Sequence, residues 1–181
     1  MFKTILAASA IAFATLPAAA ATLSDYIPAD QYIGGHIYVA SAGEVTVTYI
    51  GSEAAFTNVS YFAKDGSDQL LFTNVTAGQG TISLGSFAAG TELVFSMTSI
   101  GGGNVHSFLT GTEYAKAGEV DGYGFVVAFE DTINGDADYN DLVFSVSNVS
   151  STLPAVPVPA ALPLIASAFG GLLVLRRRRR A

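Results

Sequence analysis

The sequence contains no cysteine, and its 181 residues include only two histidines. Without cysteine the chain has no disulfide, no thiol nucleophile and no zinc–thiolate site. His36 and His106 stand outside any His-x-x-x-His metal-ligand spacing. No Gly-x-Ser-x-Gly sequence marks a nucleophilic serine. These absences remove the usual sequence evidence for a catalytic centre, and we expect the protein to have no catalytic residues.

Basic residues are scarce between residues 22 and 153. Only Lys64 and Lys116 oppose fifteen Asp and Glu residues there, which gives this stretch a formal charge of −13. A chain this negative repels nucleic acid and anionic lipid, so we expect no nucleic-acid partner. Solubility alone explains most of the charge. It does not explain why six of the acidic residues lie within 21 residues, between Asp121 and Asp141.

The longest apolar runs lie near the two ends of the chain. At the N-terminal end, Lys3 precedes a mostly apolar stretch at residues 4–16, and small residues follow at 18–21. This three-part order is typical of a secretory signal. A run of about 13 apolar residues is too short to span a bilayer core of ~30 Å. We therefore predict a signal peptide at residues 1–21, removed by signal peptidase.

Residues 22–153 form the predicted folded domain. Residues 44–50 alternate apolar and polar side chains, as a half-buried strand does. Turn-forming clusters recur at intervals of about 8–12 residues, a spacing typical of sandwiches and barrels. The pattern predicts an all-β fold, an antiparallel β-sandwich of jelly-roll type, with a flexible loop at the glycines of residues 101–103. The predicted strands are residues 36–40, 44–50, 59–63, 69–72, 81–84, 93–98, 123–129 and 142–149.

The composition changes abruptly at Pro154. Prolines at 154, 157, 159 and 163 favour an extended segment without internal hydrogen bonds. Residues 160–175 are uncharged and mostly apolar, and as a helix they reach about 24 Å, slightly less than the bilayer core. The arginines of residues 176–180 follow, and the positive-inside rule places them in the cytoplasm. We predict a single transmembrane helix that holds an exported domain at the inner membrane.

The tail, residues 154–181, carries a more specific pattern than a plain anchor. Its motif consists of Val156, Pro157, Val158, Pro159 and Ala160, and the apolar helix and the arginine cluster follow. This order resembles the VPLPA variant of the PEP-CTERM sorting signal, although Val158 stands where leucine is usual. The resemblance implies an exosortase-type transpeptidase of Gram-negative bacteria as partner and cleavage near the motif. It places the mature domain at the cell surface or in the secreted fraction.

The densest acidic segment, residues 130–141, joins the last two predicted strands. Asn and Asp alternate there at every second position, and in a curved loop such side chains converge on a hard cation. Ca²⁺ takes about six to eight oxygen ligands, and carboxylate-rich loops suit it. We predict a Ca²⁺ site with candidate ligands Glu130, Asp131, Asn134, Asp136, Asp138, Asn140 and Asp141. The alternative is a merely soluble loop in which Asn and Asp form turns.

The spacing of this loop is not that of an EF-hand. With Asn134 as the first ligand, Tyr139 occupies the position of the turn glycine and Ser145 that of the bidentate glutamate. The Phe-Glu-Asp of residues 129–131 and the Asp-Ala-Asp-Tyr-Asn-Asp-Leu-Val-Phe of residues 136–144 instead resemble the closing signature of the DUF4114 domain. That resemblance implies a β-rich module of bacterial secreted and surface proteins with no known enzymatic activity.

Together these features predict an exported, non-enzymatic protein of the cell surface or extracellular matrix. We expect a structural or adhesive role in exopolysaccharide, biofilm or envelope. Two alternatives from other classes remain open. One is a secreted carbohydrate-binding module, which the tyrosine and phenylalanine content permits. The other is a small secreted hydrolase, because almost any acidic loop provides the paired carboxylates that a glycosidase needs.

Overall fold

The structure is a computed structural model that describes residues 21–64, 66–76 and 78–155. The predicted sorting motif, transmembrane helix and arginine cluster lie outside the described residues, as does the predicted signal peptide apart from Ala21. Within the described ranges, no helix has the length and apolar character needed to cross a membrane.

Two 3₁₀ helices and eleven strands make up the described part of the chain. The 3₁₀ helices are Leu23–Tyr26 and Asp30–Tyr32. The strands are β1 (Tyr38–Val39), β2 (Gly43–Gly51), β3 (Thr57–Lys64), β4 (Ser67–Thr73), β5 (Thr81–Phe87), β6 (Phe95–Gly101), β7 (Asn104–Leu109), β8 (Ala115–Val120), β9 (Gly124–Phe129), β10 (Leu142–Val146) and β11 (Val149–Ser150).

The long strands form two antiparallel sheets. One has five strands in the order β5-β2-β10-β9-β8, and the other has four in the order β4-β3-β6-β7. The short strands β1 and β11 pair with each other. All ladders that join these strands are antiparallel, which confirms the predicted all-β, antiparallel fold.

The two sheets pack face to face over one apolar core. Phe144 of β10 lies at its centre, with ring centroids 5.3 Å from Phe95 on β6 and 5.8 Å from Phe72 on β4. Inward side chains alternate with outward ones along β2, where Val45 and Val47 are fully buried. This period-two burial is what the alternation in the sequence predicts. The arrangement is a β-sandwich.

The outer face of the five-stranded sheet is also covered near its centre. Val126, Ala128 and Val143 form a second apolar cluster there with Tyr139 of the loop between β9 and β10. The N-terminal segment packs on this cluster through Leu23, Tyr26 and Ile27. Strand β9 is therefore buried on both faces, and this explains its uninterrupted apolar run at residues 125–129.

Strands β7 and β8 were not predicted, and both lack a strong apolar pattern. Strand β7 is an edge strand in which only Phe108 is buried. Strand β8 buries the small residues Ala115 and Ala117, together with Lys116 and Gly118, a composition that does not indicate a strand. The close approach of the Tyr32 ring to the Cα of Gly118 shows why a residue without Cβ is needed there.

Two further predictions were wrong in detail. The predicted flexible loop at residues 101–103 is a tight hairpin: Gly101 still pairs with Asn104, and Gly102 and Gly103 turn the chain with φ of 59° and 79°. Positive φ at both turn positions is what a type I′ hairpin requires. The predicted strand at residues 142–149 is interrupted before β11, where Asn148 has a φ of 55°.

Candidate metal centre

The acidic loop begins and ends on neighbouring strands. Leu142, the first residue of β10, pairs with Phe129, the last residue of β9. The loop ends are tied together because the backbone N–H of Asp131 donates to Asp141 Oδ2 at 2.7 Å. In turn, the N–H of Asp141 donates to the Phe129 carbonyl oxygen at 3.2 Å. This register brings the acids at the two ends of the loop side by side.

We call Glu130, Asp131 and Asp141 the inner group. Their side chains supply carboxylate oxygens that all lie within 4.8 Å of one another. All three residues are buried, with exposures of 5%, 4% and 8% respectively. In the described ranges, ion pairs join Lys116 to Asp30 and His36 to Glu92, so neither pair neutralises the inner group. Three buried carboxylates therefore lie close together, and none of the described basic side chains forms an ion pair with them.

Burial shifts the proton equilibria of two residues in this group, Asp141 and Glu130. Loss of solvent raises the pKa of Asp141 to about 7, against the lowering effect of the Asp131 N–H donor. The negative charges of Asp131, Glu130 and Asp138 act in the same direction as burial and are part of this rise. The pKa of Glu130 is also raised, chiefly by burial. Such shifts mean that the charged form is disfavoured until a proton or a cation compensates it.

We call Glu130, Asp136 and Asp138 the outer group, and its carboxylate oxygens also lie within 4.8 Å of one another. Asp136 and Asp138 are exposed to solvent. The chain curves to bring them to Glu130, because Asn134 and Ala137 both have left-handed backbone conformations, with φ of 60° and 58°. Residues other than glycine adopt this region at a cost of about 1–2 kcal/mol each.

Tyr139 fixes this curved loop to the body of the sandwich. It too is left-handed, with a φ of 59°, and its side chain is buried. Its hydroxyl donates to the Glu113 carbonyl oxygen at 2.8 Å, and its backbone N–H donates to Glu130 Oε2 at 3.4 Å. Lys116 Nζ lies 4.4 Å from the ring centroid. The tyrosine therefore anchors both the loop and the carboxylate that the two groups share.

The two predicted asparagine ligands occupy different places. Asn140 donates through Nδ2 to Asp138 Oδ2 at 2.6 Å and to Glu53 Oε2 at 3.3 Å. It therefore offsets negative charge in the outer group by hydrogen bonding. Asn134 lines a surface depression that Glu130, Ala137 and Tyr139 also line. Hence the structure groups five of the seven predicted ligands as carboxylate sets, and it places both asparagines beside them.

One residue of the centre was not predicted from the sequence. Asn58 lies on β3 in the opposite sheet and is fully buried. Its Nδ2 donates to Asp131 Oδ2 at 2.8 Å, and its Oδ1 has no hydrogen-bond partner within the described part of the chain. Leaving a buried carbonyl oxygen unpaired costs about 1–3 kcal/mol. The available signal was a polar side chain at a core-facing position of an alternating strand.

The donor chemistry of this centre consists entirely of oxygen. Carboxylates with an adjacent amide suit hard divalent cations, and neither sulfur nor imidazole belongs to either group. Because Glu130 belongs to both groups, a cation bound in one lies next to the carboxylates of the other. The arrangement fits a calcium-type site better than a transition-metal site.

The fold and the loop together define a class of protein: a cysteine-free, acidic β-sandwich module with an oxygen-rich centre at the end of two neighbouring strands. The chain belongs to the family described as Domain of unknown function (DUF4114), whose profile matches residues 55–148. The resemblance noted at residues 129–144 is thereby confirmed, and the matched region includes Asn58 and the whole acidic loop. Searches among curated proteins and among solved structures returned no match.

Proposed function

We propose that the chain is an exported, non-enzymatic protein of the bacterial cell surface or extracellular matrix, with a structural or adhesive role and a β-sandwich stabilised by Ca²⁺. The observation that carries the metal assignment is the convergence of five loop carboxylates in two groups that share Glu130. Three of the five residues are buried without a basic partner among the described residues. A bound divalent cation compensates this charge, which protons compensate only at lower pH.

The export assignment is supported by the sequence of the two terminal segments. Residues 1–21 have the order of a signal peptide, and residues 154–181 combine a proline-rich motif, an apolar run and an arginine cluster. Held at the membrane face, the extended motif at residues 156–160 presents free backbone to an exosortase-type transpeptidase. Release or attachment at that point would put the domain outside the cell, where exopolysaccharide is the partner we propose.

The metal assignment is tested by thermal denaturation of the purified full chain in Ca²⁺, in Mg²⁺ and in NaCl at matched ionic strength. A ligand that binds only the folded state stabilises it by about 2.7 kcal/mol at one hundred times its Kd. We expect a Ca²⁺-specific rise in Tm of several degrees. Equal shifts in Ca²⁺ and Mg²⁺ would show that cations only screen an acidic surface.

Replacement of the shared carboxylate locates the effect. Glu130→Gln removes a ligand from both groups at once, so the Ca²⁺-specific part of the shift should disappear. The double replacement Asp136→Asn with Asp138→Asn removes the outer group alone and should reduce the shift. Glu119→Gln is the matched control, because Glu119 is exposed on β8 and belongs to neither group. Its Ca²⁺ response should equal that of the unmodified chain.

The export assignment is tested by mass spectrometry of the mature protein from cells that contain an exosortase. We expect an N-terminus at Ala21 or Thr22 and a C-terminus between residues 156 and 160. Intact chains ending at Ala181 in such cells would show that the tail is an anchor and not a sorting signal.

A further inference from the structure

We propose that Asn58 is a metal ligand from the opposite sheet, so that one Ca²⁺ in the inner group joins the two sheets of the sandwich. This assignment rests on the proposed function, because it specifies how that metal site is completed. It adds a residue that lies far from the loop in the sequence, 73 positions before Asp131. It also changes the expected role of the cation, from ordering a surface loop to fastening the sandwich.

The position of Asn58 is the first support for this assignment. Strand β3 belongs to the four-stranded sheet, whereas the inner group lies at the ends of β9 and β10 in the five-stranded sheet. The side chain crosses the gap between the sheets: Nδ2 lies 2.8 Å from Asp131 Oδ2 and 3.4 Å from the Asp141 carbonyl oxygen. The amide therefore points directly into the carboxylate group.

The backbone of Asn58 is held in place independently of the acids. Its N–H donates to Asn74 Oδ1 at 2.8 Å, and its carbonyl oxygen accepts from the Asn74 N–H at 3.1 Å. Asn74 in turn donates through Nδ2 to the Phe56 carbonyl oxygen at 2.6 Å. A side chain positioned by such a frame needs no rearrangement of β3 to reach a cation, which is the preorganisation that a binding site requires.

The unpartnered amide oxygen is the second support, and it is independent of the acidic cluster. Asn58 Oδ1 is buried and accepts no hydrogen bond from the described residues. The NH₂ end of the amide is the end that faces Asp131, because the negative charge of the three carboxylates would repel an oxygen there. Rotation about the terminal side-chain bond exchanges the two ends. A cation among the carboxylates reverses the preference and attracts the oxygen.

The resulting ligand set matches what Ca²⁺ takes in proteins. Carboxylates bind through one or both oxygens, and asparagine side-chain oxygens are ordinary ligands beside them. The inner carboxylates are already oriented by hydrogen bonds: Thr132 Oγ1 donates to Asp131 Oδ1, and the backbone N–H of Asp131 donates to Asp141 Oδ2. Glu130, Asp131, Asp141 and Asn58 with water therefore reach the usual coordination of about six to eight oxygens.

Isothermal titration of the purified full chain with CaCl₂ tests this assignment, together with Tm in Ca²⁺ and in chelator. Asn58→Ala should raise the Kd for Ca²⁺ roughly tenfold or more, because even supporting residues of metal sites have effects of that size. The matched control is Ser60→Ala, which removes a fully buried polar side chain two residues along β3 and leaves the acids untouched. Its Kd should equal that of the unmodified chain.

The variant Asn58→Asp tests whether Asn58 is a metal ligand or only a hydrogen-bond donor to Asp131. An added carboxylate in the inner group should lower Tm in chelator, through repulsion, and should enlarge the Ca²⁺-induced rise in Tm beyond that of the unmodified chain. If Asn58 only donates to Asp131, this variant is destabilised in both conditions and shows no enlarged response. This readout stays informative even where Asn58→Ala is too unstable to titrate.

The outcomes distinguish the two proposals. Ca²⁺ binding that is lost in Glu130→Gln but unchanged in Asn58→Ala overturns the Asn58 assignment and leaves the Ca²⁺ site in place. An unmodified chain that binds no Ca²⁺ overturns both. Weakened binding in Asn58→Ala, together with an enlarged response in Asn58→Asp, supports a cation that fastens the two sheets.

Discussion

The core between the sheets and the inner carboxylate group are buried to a similar degree, but they contribute to stability with opposite signs. Burial of Phe72, Phe95 and Phe144 stabilises the folded state by about 25 cal/mol per Å² of apolar surface removed from water. Glu130 and Asp141 lose hydration that no basic side chain replaces in the described part of the chain. The contribution of the core therefore does not depend on pH or divalent cations, whereas that of the inner carboxylate group does. Protons and divalent cations are the two species that can compensate its charge.

The largest expected effect comes from a replacement in the apolar core between the sheets. Phe144→Ala removes the ring that contacts Phe95 and Phe72 and leaves a cavity between the sheets. We expect a loss of about 3–5 kcal/mol in the free energy of unfolding. Because Phe144 is uncharged and belongs to neither carboxylate group, the loss should be the same in Ca²⁺ and in chelator. Urea denaturation of the full chain under both conditions measures it.

A surface replacement provides the control. Leu70 lies on β4 with 59% of its surface exposed, so Leu70→Ala should change the free energy of unfolding by no more than about 0.5 kcal/mol. A Phe144→Ala loss that differed between Ca²⁺ and chelator by more than the measurement error would contradict the separation of the two regions.

The second effect is a pH dependence of stability that arises in the inner carboxylate group. The pKa of Asp141 in the folded domain is about 7, above its ordinary value of 3.8, and that of Glu130 is raised as well. The folded state thus binds the protons of Asp141 and Glu130 more tightly than the unfolded state does. The stability gained from this tighter binding is fully present at pH values below the ordinary pKa of the two groups. It is lost as pH rises towards 7. In chelator, Tm should therefore fall by several degrees between pH 5 and pH 8.

Calcium should offset the fall in Tm at higher pH, because it binds the deprotonated carboxylates. The Ca²⁺-induced rise in Tm is expected to be small at pH 5 and to grow as pH increases through about 7. Asp141→Asn, which resembles the protonated acid in shape and charge, should flatten the pH dependence measured in chelator. A pH profile that this replacement leaves unchanged would assign the titration to other groups.

The core and the inner carboxylate group could be predicted from the sequence to different extents, and the reason is physical. The alternation of Val45, Val47 and their neighbours is local, so β2 could be predicted without any knowledge of its partners. The acidic loop was also predictable, because its acids are adjacent in the chain. Asn58 was not, since its relation to Asp131 depends on how the two sheets pack. A polar residue at a core-facing position signals such a contact but does not name the partner.

The same distinction applies to the strands that the sequence did not predict. Strand β8 places Ala115 and Ala117 against the core and Lys116 beside Tyr139, and its strand conformation is imposed by the pairing of its residues with β9. Small residues have little intrinsic preference for strands, so tertiary pairing decides. Local pattern therefore specifies the centre of the core and the acidic loop, whereas long-range pairing specifies the periphery of the core and the position of Asn58 beside Asp131.

The smallest expected effect lies at Tyr139, which packs on the outer face of the five-stranded sheet and donates its backbone N–H to Glu130 of the inner group. Tyr139→Phe removes the hydroxyl that donates to the Glu113 carbonyl oxygen but keeps the ring beside Lys116 and the backbone N–H that donates to Glu130. We expect a loss of about 1 kcal/mol in the free energy of unfolding, with an unchanged Kd for Ca²⁺. Tyr123→Phe, at an exposed tyrosine, should change neither quantity. If Tyr139→Phe instead weakens Ca²⁺ binding, the hydroxyl that anchors the loop also supports the metal site, and the cation-dependent region extends to the outer apolar cluster.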